Sequence, residues 1–146
     1  MKLNFEKFFT GKVEANGYMI FFYPKKRKKD VKVLFSGNFK NNSLILLEKY
    51  YENNIKASSR KWHFQKFSDD HFIGNEKNIV SPFKLIIKNN SLEMNYKFKT
   101  QFKNFSFNVY VEDQMYLINK NTIINKTRIS KCHITIAETL LLYKKL

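Results

Sequence analysis

Four ionisable side chains stand at positions where an alternating sequence otherwise places apolar residues. Side chains on a β-strand alternate between two faces, so residues two apart share a face. The four charges that fall in phase with apolar neighbours are Glu48, Arg60, Asp113 and Glu138. Glu138 belongs to the series Ile134, Ile136, Leu140 and Leu142. Charges on an inward face are tolerated mainly when they are paired, so the sequence predicts a polar cluster inside the fold.

Glu48 and Arg60 are predicted to face one another across a hairpin. A turn centred on Asn54 pairs residues whose numbers have an even sum, and this places Glu48 opposite Arg60. Trp62 lies two residues after Arg60 and shares its face. We expect the Arg60 guanidinium to lie within hydrogen-bonding distance of at least one carboxylate, with Trp62 packed nearby.

Two interpretations fit this cluster. In the first, it is a structural ion network that closes one end of a barrel, with Trp62 as a plug. In the second, it is the polar anchor of a ligand cavity, because small-molecule pockets are mostly apolar with a few convergent polar groups. The excess of carboxylates over arginine would leave one acid protonated or facing a ligand.

Motifs of common enzyme and metal sites do not occur in the sequence. It has no glycine-rich phosphate loop, no H-E-x-x-H, no paired-cysteine motif and no G-x-S-x-G. The single cysteine, Cys132, stands beside His133, but neighbours on a strand point to opposite faces and form no dyad. We therefore predict no catalytic residues, no metal site and no cofactor.

Short strands joined by tight turns would position these residues. Apolar–polar alternation begins at Val13, while residues 75–90 show no clear pattern. We predict an all-β fold, in which one antiparallel meander of roughly eight to ten strands closes into a barrel. A short helical turn is expected between Leu3 and Phe9, and residues 1–146 are expected to form a single domain. The predicted core comprises Val13, Phe35, Leu46, Trp62, Tyr96, Phe107, Val109 and Ile136.

The chain is strongly basic, with a formal net charge of +15. Such a charge favours an anionic partner, and the run Lys25, Lys26, Arg27, Lys28 and Lys29 is the candidate contact with an anionic membrane surface. A compositional bias of the kind that an AT-rich genome produces is the favoured explanation, because nearly all of the positive charge is lysine and only three residues are arginine. Nucleic-acid binding is disfavoured, because most aromatic residues fall on the inward phase and not among exposed lysines.

Short motifs along the chain resemble those of a known family. They include F-F-x-G at Phe8, Gly37, R-x-W at Arg60, an acidic-Asp-x-Met-Tyr segment ending at Tyr116, and Asn125. In order and spacing the chain is similar to the bacterial domain-of-unknown-function family 3833. The resemblance implies a lipocalin-like barrel and carries no established catalytic residues. The sequence departs from the family pattern at Gln114, where tryptophan is usual, and in the segment after Gly74.

Binding of a fatty acid, lipid or other apolar molecule in the barrel is the expected function. The residues predicted to bind the ligand, or to form a buried polar network, are Glu48, Arg60, Trp62, Asp113, Tyr116 and Glu138. The alternative is a lipid-directed, isomerase-like enzyme that uses Asp113, Glu138 or Tyr116 as acid or base. Residues 1–24 lack a signal-peptide pattern, which predicts a cytoplasmic protein, whereas a removed lipoprotein leader would give membrane association. Nothing in the sequence indicates an oligomeric state.

Overall fold

The computed structural model describes residues 1–102 and 104–146 and contains one short helix and ten strands. In chain order these are α1 (Phe5–Phe9), β1 (Gly11–Phe21), β2 (Arg27–Lys40), β3 (Ser43–Glu52), β4 (Ile55–Ser68), β5 (His71–Asn75), β6 (Phe83–Lys88), β7 (Ser91–Phe102), β8 (Phe105–Asn119), β9 (Thr122–Lys131) and β10 (Ile134–Lys145). Each strand pairs antiparallel with its sequence neighbours, and β1 pairs with β10 to close the barrel. This closure pairs the first and last strands, which would otherwise present free sheet edges.

Helix α1 closes one end of the barrel, which we call the plugged end. Asn4 begins the helix, because its side-chain oxygen accepts a hydrogen bond from the backbone NH of Lys7 at 3.0 Å. Phe5 and Phe9 are buried under the barrel strands, and the Phe5 ring centroid lies 5.0 Å from that of Phe64. The helix therefore seals this end with aromatic side chains.

The opposite end, which we call the mouth, is formed by the turns at residues 22–26, 53–54 and 132–133 and by residues 76–82. Inward-phase side chains near the mouth, such as Tyr50, are partly exposed to solvent. The barrel interior is thus accessible from this end and sealed at the other.

Residues 76–82 complete the barrel wall where β5 and β6 are too short to do so. The backbone NH of Val80 donates to the carbonyl of Lys97 at 3.0 Å, and Ile79 forms an isolated bridge with Phe98. Residues 76–82 therefore run alongside β7 and lie between β7 and the mouth half of β4.

The predicted fold class is confirmed: the chain is all-β, with an antiparallel closed barrel and one short N-terminal helix. Predicted core residues that are buried are Val13, Phe35, Leu46, Trp62 and Val109. Those that are partly exposed are Tyr96, Phe107 and Ile136. No α-helix in residues 1–102 or 104–146 combines the length and apolar character needed to cross a bilayer.

The phase predicted for the last strand is wrong. The buried residues of β10 are Ala137, Thr139, Leu141 and Tyr143. The register between β9 and β10 shifts between Thr135 and Ala137, and an extra residue in one strand reverses the faces beyond it. The run Leu140–Tyr143 is apolar throughout, so alternation alone fits either phase.

Candidate functional site

A small cavity lies inside the barrel next to the plugged end. Its volume is about 80 Å³. Its apolar lining consists of Phe5, Phe9, Phe35, Leu46, Trp62, Phe64, Met94, Tyr96, Met115 and Tyr143. Two carboxyl groups, those of Glu48 and Asp113, complete the wall. An apolar cavity with a few convergent polar groups has the composition of a small-molecule site, although ligand pockets usually have about 300–1,000 Å³.

Glu48 and Arg60 lie directly opposite one another in the β3–β4 pair, as the hairpin parity predicted. Glu48 Oε2 is 3.7 Å from Arg60 Nε, which is an ion-pair distance but longer than a hydrogen bond. Glu48 Oε1 accepts a hydrogen bond from the Trp62 indole NH at 3.1 Å. One carboxylate thus ties the guanidinium to the aromatic lining of the cavity.

Arg60 makes two further contacts besides that with Glu48. Its Nη1 lies 3.8 Å from Oε2 of Glu76, whose side chain is almost completely buried. Its guanidinium carbon lies 4.2 Å from the centroid of the Phe98 ring, a cation–π contact. Glu76 also accepts a hydrogen bond from the backbone NH of Asn78 at 2.6 Å, which fixes its carboxylate. The guanidinium therefore lies at ion-pair distance from two carboxylates, which offset its positive charge.

Asp113 lies on β8, across the cavity from this ion network. Its Oδ1 accepts hydrogen bonds from the side-chain amide of Asn125 and from the Thr127 hydroxyl, the latter at 3.1 Å. Within residues 1–102 and 104–146, no Lys or Arg lies within ion-pair distance of it. Asn125 and Thr127 follow the inward phase of β9, so the β8–β9 pairing positions all three polar groups.

Burial changes the ionisation of both carboxyl groups at the cavity. It raises the pKa of Glu48, and the Arg60 charge and the Trp62 hydrogen bond oppose this rise. Burial raises the pKa of Asp113 to about 7, while Asn125 and Thr127 oppose the rise and the charge of Glu48 adds to it. The Asp113 carboxyl consequently exchanges its proton near neutral pH.

Tyr116 and Glu138 do not belong to the interior. Tyr116 is 43% exposed, because Asp113, Met115 and Leu117 occupy the inward phase of β8. Glu138 pairs with Arg128 in the register of β9 and β10 and faces outward, since the shift before Ala137 reverses the phase of its strand. Of the three residues proposed for acid or base chemistry, only Asp113 lies at the cavity.

Glu76, Asn125 and Thr127 are interior polar residues that the sequence interpretation did not include. Glu76 lies in the segment without clear periodicity, and only the fold places it beside Arg60. Asn125 and Thr127 stand between Ile123 and Ile129 in a period-two series, and this alternation could have indicated their inward position.

The basic run extends from the β1–β2 turn at the mouth into β2. Lys25, Lys26, Arg27 and Lys28 are exposed. Lys29 points toward the barrel, where its Nζ lies 3.1 Å from Oε1 of Glu52. The residues of this run that remain available to an external partner are thus the first four.

Apolar side chains also project into solvent around the mouth. Phe22 and Tyr23 lie in the β1–β2 turn, and the other exposed apolar residues of the mouth are Ile55, Val80, Phe105 and Ile134. These residues lie in the connecting segments and at the strand ends of the mouth, so they surround its opening.

Comparison with known proteins identifies a structural neighbour and a family. The fold is similar to that of the S-type phycobiliprotein lyase from Guillardia theta, with a TM-score of 0.68 and 8% identity. The match covers 99% of this chain and 93% of the lyase. No curated protein matches the sequence. The model of the DUF3833 family, described as proteins of unknown function, matches residues 1–145, and the chain therefore belongs to this family.

Proposed function

We propose that the barrel binds one small, largely apolar molecule in its interior. The observation that carries this proposal is the cavity itself, which is lined by aromatic and methionine side chains and two carboxyl groups. The fold shared with a phycobiliprotein lyase supports an interior site, because small closed barrels have room for one ligand.

The ligand must extend beyond the cavity or displace part of its lining. A volume of about 80 Å³ is well below that of ordinary ligand pockets. Met94 and Met115 line the cavity, and unbranched methionine side chains change shape easily. Inward-phase side chains in the mouth half of the interior are partly exposed to solvent, so a ligand that extends beyond the cavity would displace side chains in that direction. A molecule with an alkyl chain or a fused ring, such as a lipid, fits this path.

Filling the cavity should weaken binding. Leu46 lines the cavity and is 4% exposed, whereas its neighbour Leu47 faces outward and is 50% exposed. We expect Leu46→Phe to weaken binding of the neutral, polarity-sensitive dye Nile red by roughly tenfold, or about 1.4 kcal/mol, because the larger side chain occupies volume that the ligand needs. Leu47→Phe serves as the matched control and should bind the dye normally.

Fluorescence titration of the folded variants measures this effect. Equal affinity in Leu46→Phe and the unaltered protein would place the dye outside the barrel and count against the proposal. Native mass spectrometry of the protein purified from its own host provides the independent measurement, since a bound small molecule adds its mass to the chain.

We further propose that the mouth docks on anionic lipid bilayers. Exposed Phe, Tyr and Ile side chains at the rim can enter the interfacial layer, and exposed lysines of the same end can contact anionic headgroups. The same end gives access to the barrel interior, so docking would bring a membrane-dissolved ligand to the site. Vesicle co-sedimentation tests this second function.

A further inference from the structure

The charge around the cavity has the opposite sign to the charge of the whole chain. The formal net charge of the protein is +15. The cavity lining nevertheless contains the carboxyl groups of Glu48 and Asp113, whereas Arg60 and a third carboxyl group, that of Glu76, adjoin Glu48 outside the lining. A ligand inside the barrel therefore meets acids, although the outer surface is basic.

Asp113 is the acid that remains available to a ligand. Its Oδ1 accepts two hydrogen bonds, from Asn125 and Thr127, whereas Oδ2 has no hydrogen-bond donor within residues 1–102 and 104–146. Glu48, in contrast, is engaged by Arg60 and by the Trp62 indole. Asp113 is 8% exposed and lines the cavity, so its second oxygen is positioned to contact what fills that cavity.

A carboxylate headgroup has no suitable partner at this site. It would lie near Glu48 and Asp113, and the guanidinium of Arg60 is already paired with Glu48 at 3.7 Å and Glu76 at 3.8 Å. The other titratable groups at the cavity are the hydroxyls of Tyr96 and Tyr143, which carry no positive charge. Like charges brought together in a buried site repel strongly, so an anionic head is disfavoured.

We infer that the ligand of this barrel is an apolar molecule that carries a hydrogen-bond donor, best a protonated amine, which binds Oδ2 of Asp113. This inference rests on the proposed ligand-binding function and specifies the chemical class of the ligand. A charge-assisted hydrogen bond to a carboxylate is stronger than one between neutral groups, so the amine is preferred to a hydroxyl.

Three probes with one alkyl chain and different heads test the inference. Dodecylamine, dodecanol and dodecanoate are titrated against Nile red bound to the unaltered protein, at physiological salt and neutral pH and below the concentrations at which they form micelles. We expect dodecylamine to displace the dye at a concentration roughly tenfold lower than dodecanoate, with dodecanol between them. An equal or reversed order would overturn the inference and leave the proposed ligand binding intact.

The Asp113→Asn variant assigns the preference to this residue. Asparagine keeps an oxygen for Asn125 and Thr127 but removes the carboxylate, so the amine should lose its advantage while dodecanol binds nearly as before. Glu112→Gln, at the adjacent outward-facing position of β8, is the control. It should bind dodecylamine, dodecanol and dodecanoate in the same order of affinity as the unaltered protein. Preserved amine preference in a folded Asp113→Asn variant would overturn the role of Asp113. Failure of the dye and all three probes to bind would instead overturn the proposed function.

Discussion

The carboxyl of Asp113 makes stability depend on pH, because it is buried without a cation beside it. Its pKa is about 7 in the folded chain and about 3.9 in an unfolded one. Between these values the folded state binds more protons than the unfolded state, so the free energy of unfolding falls as pH rises. A difference of about three pH units corresponds to on the order of 4 kcal/mol.

Asp113→Asn should remove this pH dependence. The unaltered protein should lose several kcal/mol of stability between about pH 4 and pH 8, whereas the variant, which has no charge to bury, should not. The difference in the free energy of unfolding between the variant and the unaltered protein should therefore grow by several kcal/mol over this range. Urea melts at the two pH values measure the difference. The exposed control Glu112→Gln should show a much smaller change. A constant difference for Asp113→Asn would mean that Asp113 ionises in the folded state as it does in the unfolded chain.

Short-range pairing explains which site residues could be predicted from the sequence. The turn at Asn53 and Asn54 pairs Glu52 with Ile55, and counting from it alone would place Glu48 opposite Ser59. The irregularity between Tyr50 and Tyr51 shifts the register by one residue and brings Glu48 opposite Arg60. The shared inward face of the two strands, and not the turn, is therefore what makes this pair predictable. Glu76 could not be predicted, because it reaches Arg60 through an irregular segment that pairs with a distant strand. The prediction that Tyr116 belongs to the site rests on the family resemblance alone. Tyr116 lies an odd number of residues from Asp113 on the same strand, so alternation places its side chain on the outer face.

At the scale of elements, alternation located the strands but could not detect a bulge. Clean apolar–polar alternation, as in β7, has only one phase that buries its apolar residues. The register shift in β10 lies beside a run that is apolar on both faces, so neither face was marked as outward. The misplacement of Glu138 follows from that one irregularity and not from a different architecture.

The docking of helix α1 depends on the far end of the chain. Lys145 Nζ on β10 donates hydrogen bonds to the backbone oxygens of Lys7, Phe8 and Thr10 at 3.0, 2.9 and 2.7 Å. A lysine at a helix C-terminus satisfies carbonyls that have no partner within the helix. Gly37 also permits the close approach of the helix end, because a Cβ there would lie 1.8 Å from the Phe9 carbonyl oxygen.

Removal of this contact should loosen the plug. We expect Lys145→Met to lower the free energy of unfolding by about 1–3 kcal/mol, because three carbonyl oxygens, that of Phe8 in a partly buried contact, lose a charged donor. Lys144→Met, one residue earlier on the exposed face, should change it by less than about 0.5 kcal/mol. Urea melts of both variants make the comparison. Equal stabilities would show that the helix is held by its phenylalanines alone.

At the scale of the whole molecule, charge alone does not distinguish the two ends of the barrel. Exposed lysines occur in or beside the turns of the mouth, at Lys25, Lys26 and Lys28, and also in or beside those of the plugged end, at Lys40, Lys88 and Lys120. Exposed apolar side chains occur at both ends, with Met1, Phe67, Ile118 and Leu146 at the plugged end. Those of the mouth differ in that they surround the end that gives access to the interior. A bilayer should therefore recognise one end through combined apolar and electrostatic contacts, whereas a purely electrostatic partner would accept either end.

Matched triple variants test this orientation on vesicles. Replacement of Lys25, Lys26 and Lys28 by Gln should reduce co-sedimentation with vesicles containing phosphatidylglycerol by roughly 100-fold, at about 1 kcal/mol per lysine. Replacement of Lys40, Lys88 and Lys120 by Gln removes the same charge from the plugged end and should have a much smaller effect. Equal losses from the two triple variants would indicate general attraction to a basic protein without a docking face.

A pair of phenylalanine variants separates the apolar part of docking from the electrostatic part. Phe105 at the mouth is 73% exposed, and Phe67 at the plugged end is 66% exposed. Phe105→Ser should weaken vesicle binding, and the loss should persist at high salt, where attraction between charges is screened. Phe67→Ser removes a similar exposed ring from the other end and should bind vesicles normally. Unchanged binding by Phe105→Ser, together with reduced binding by Phe67→Ser, would place the bilayer at the plugged end and separate docking from access to the cavity.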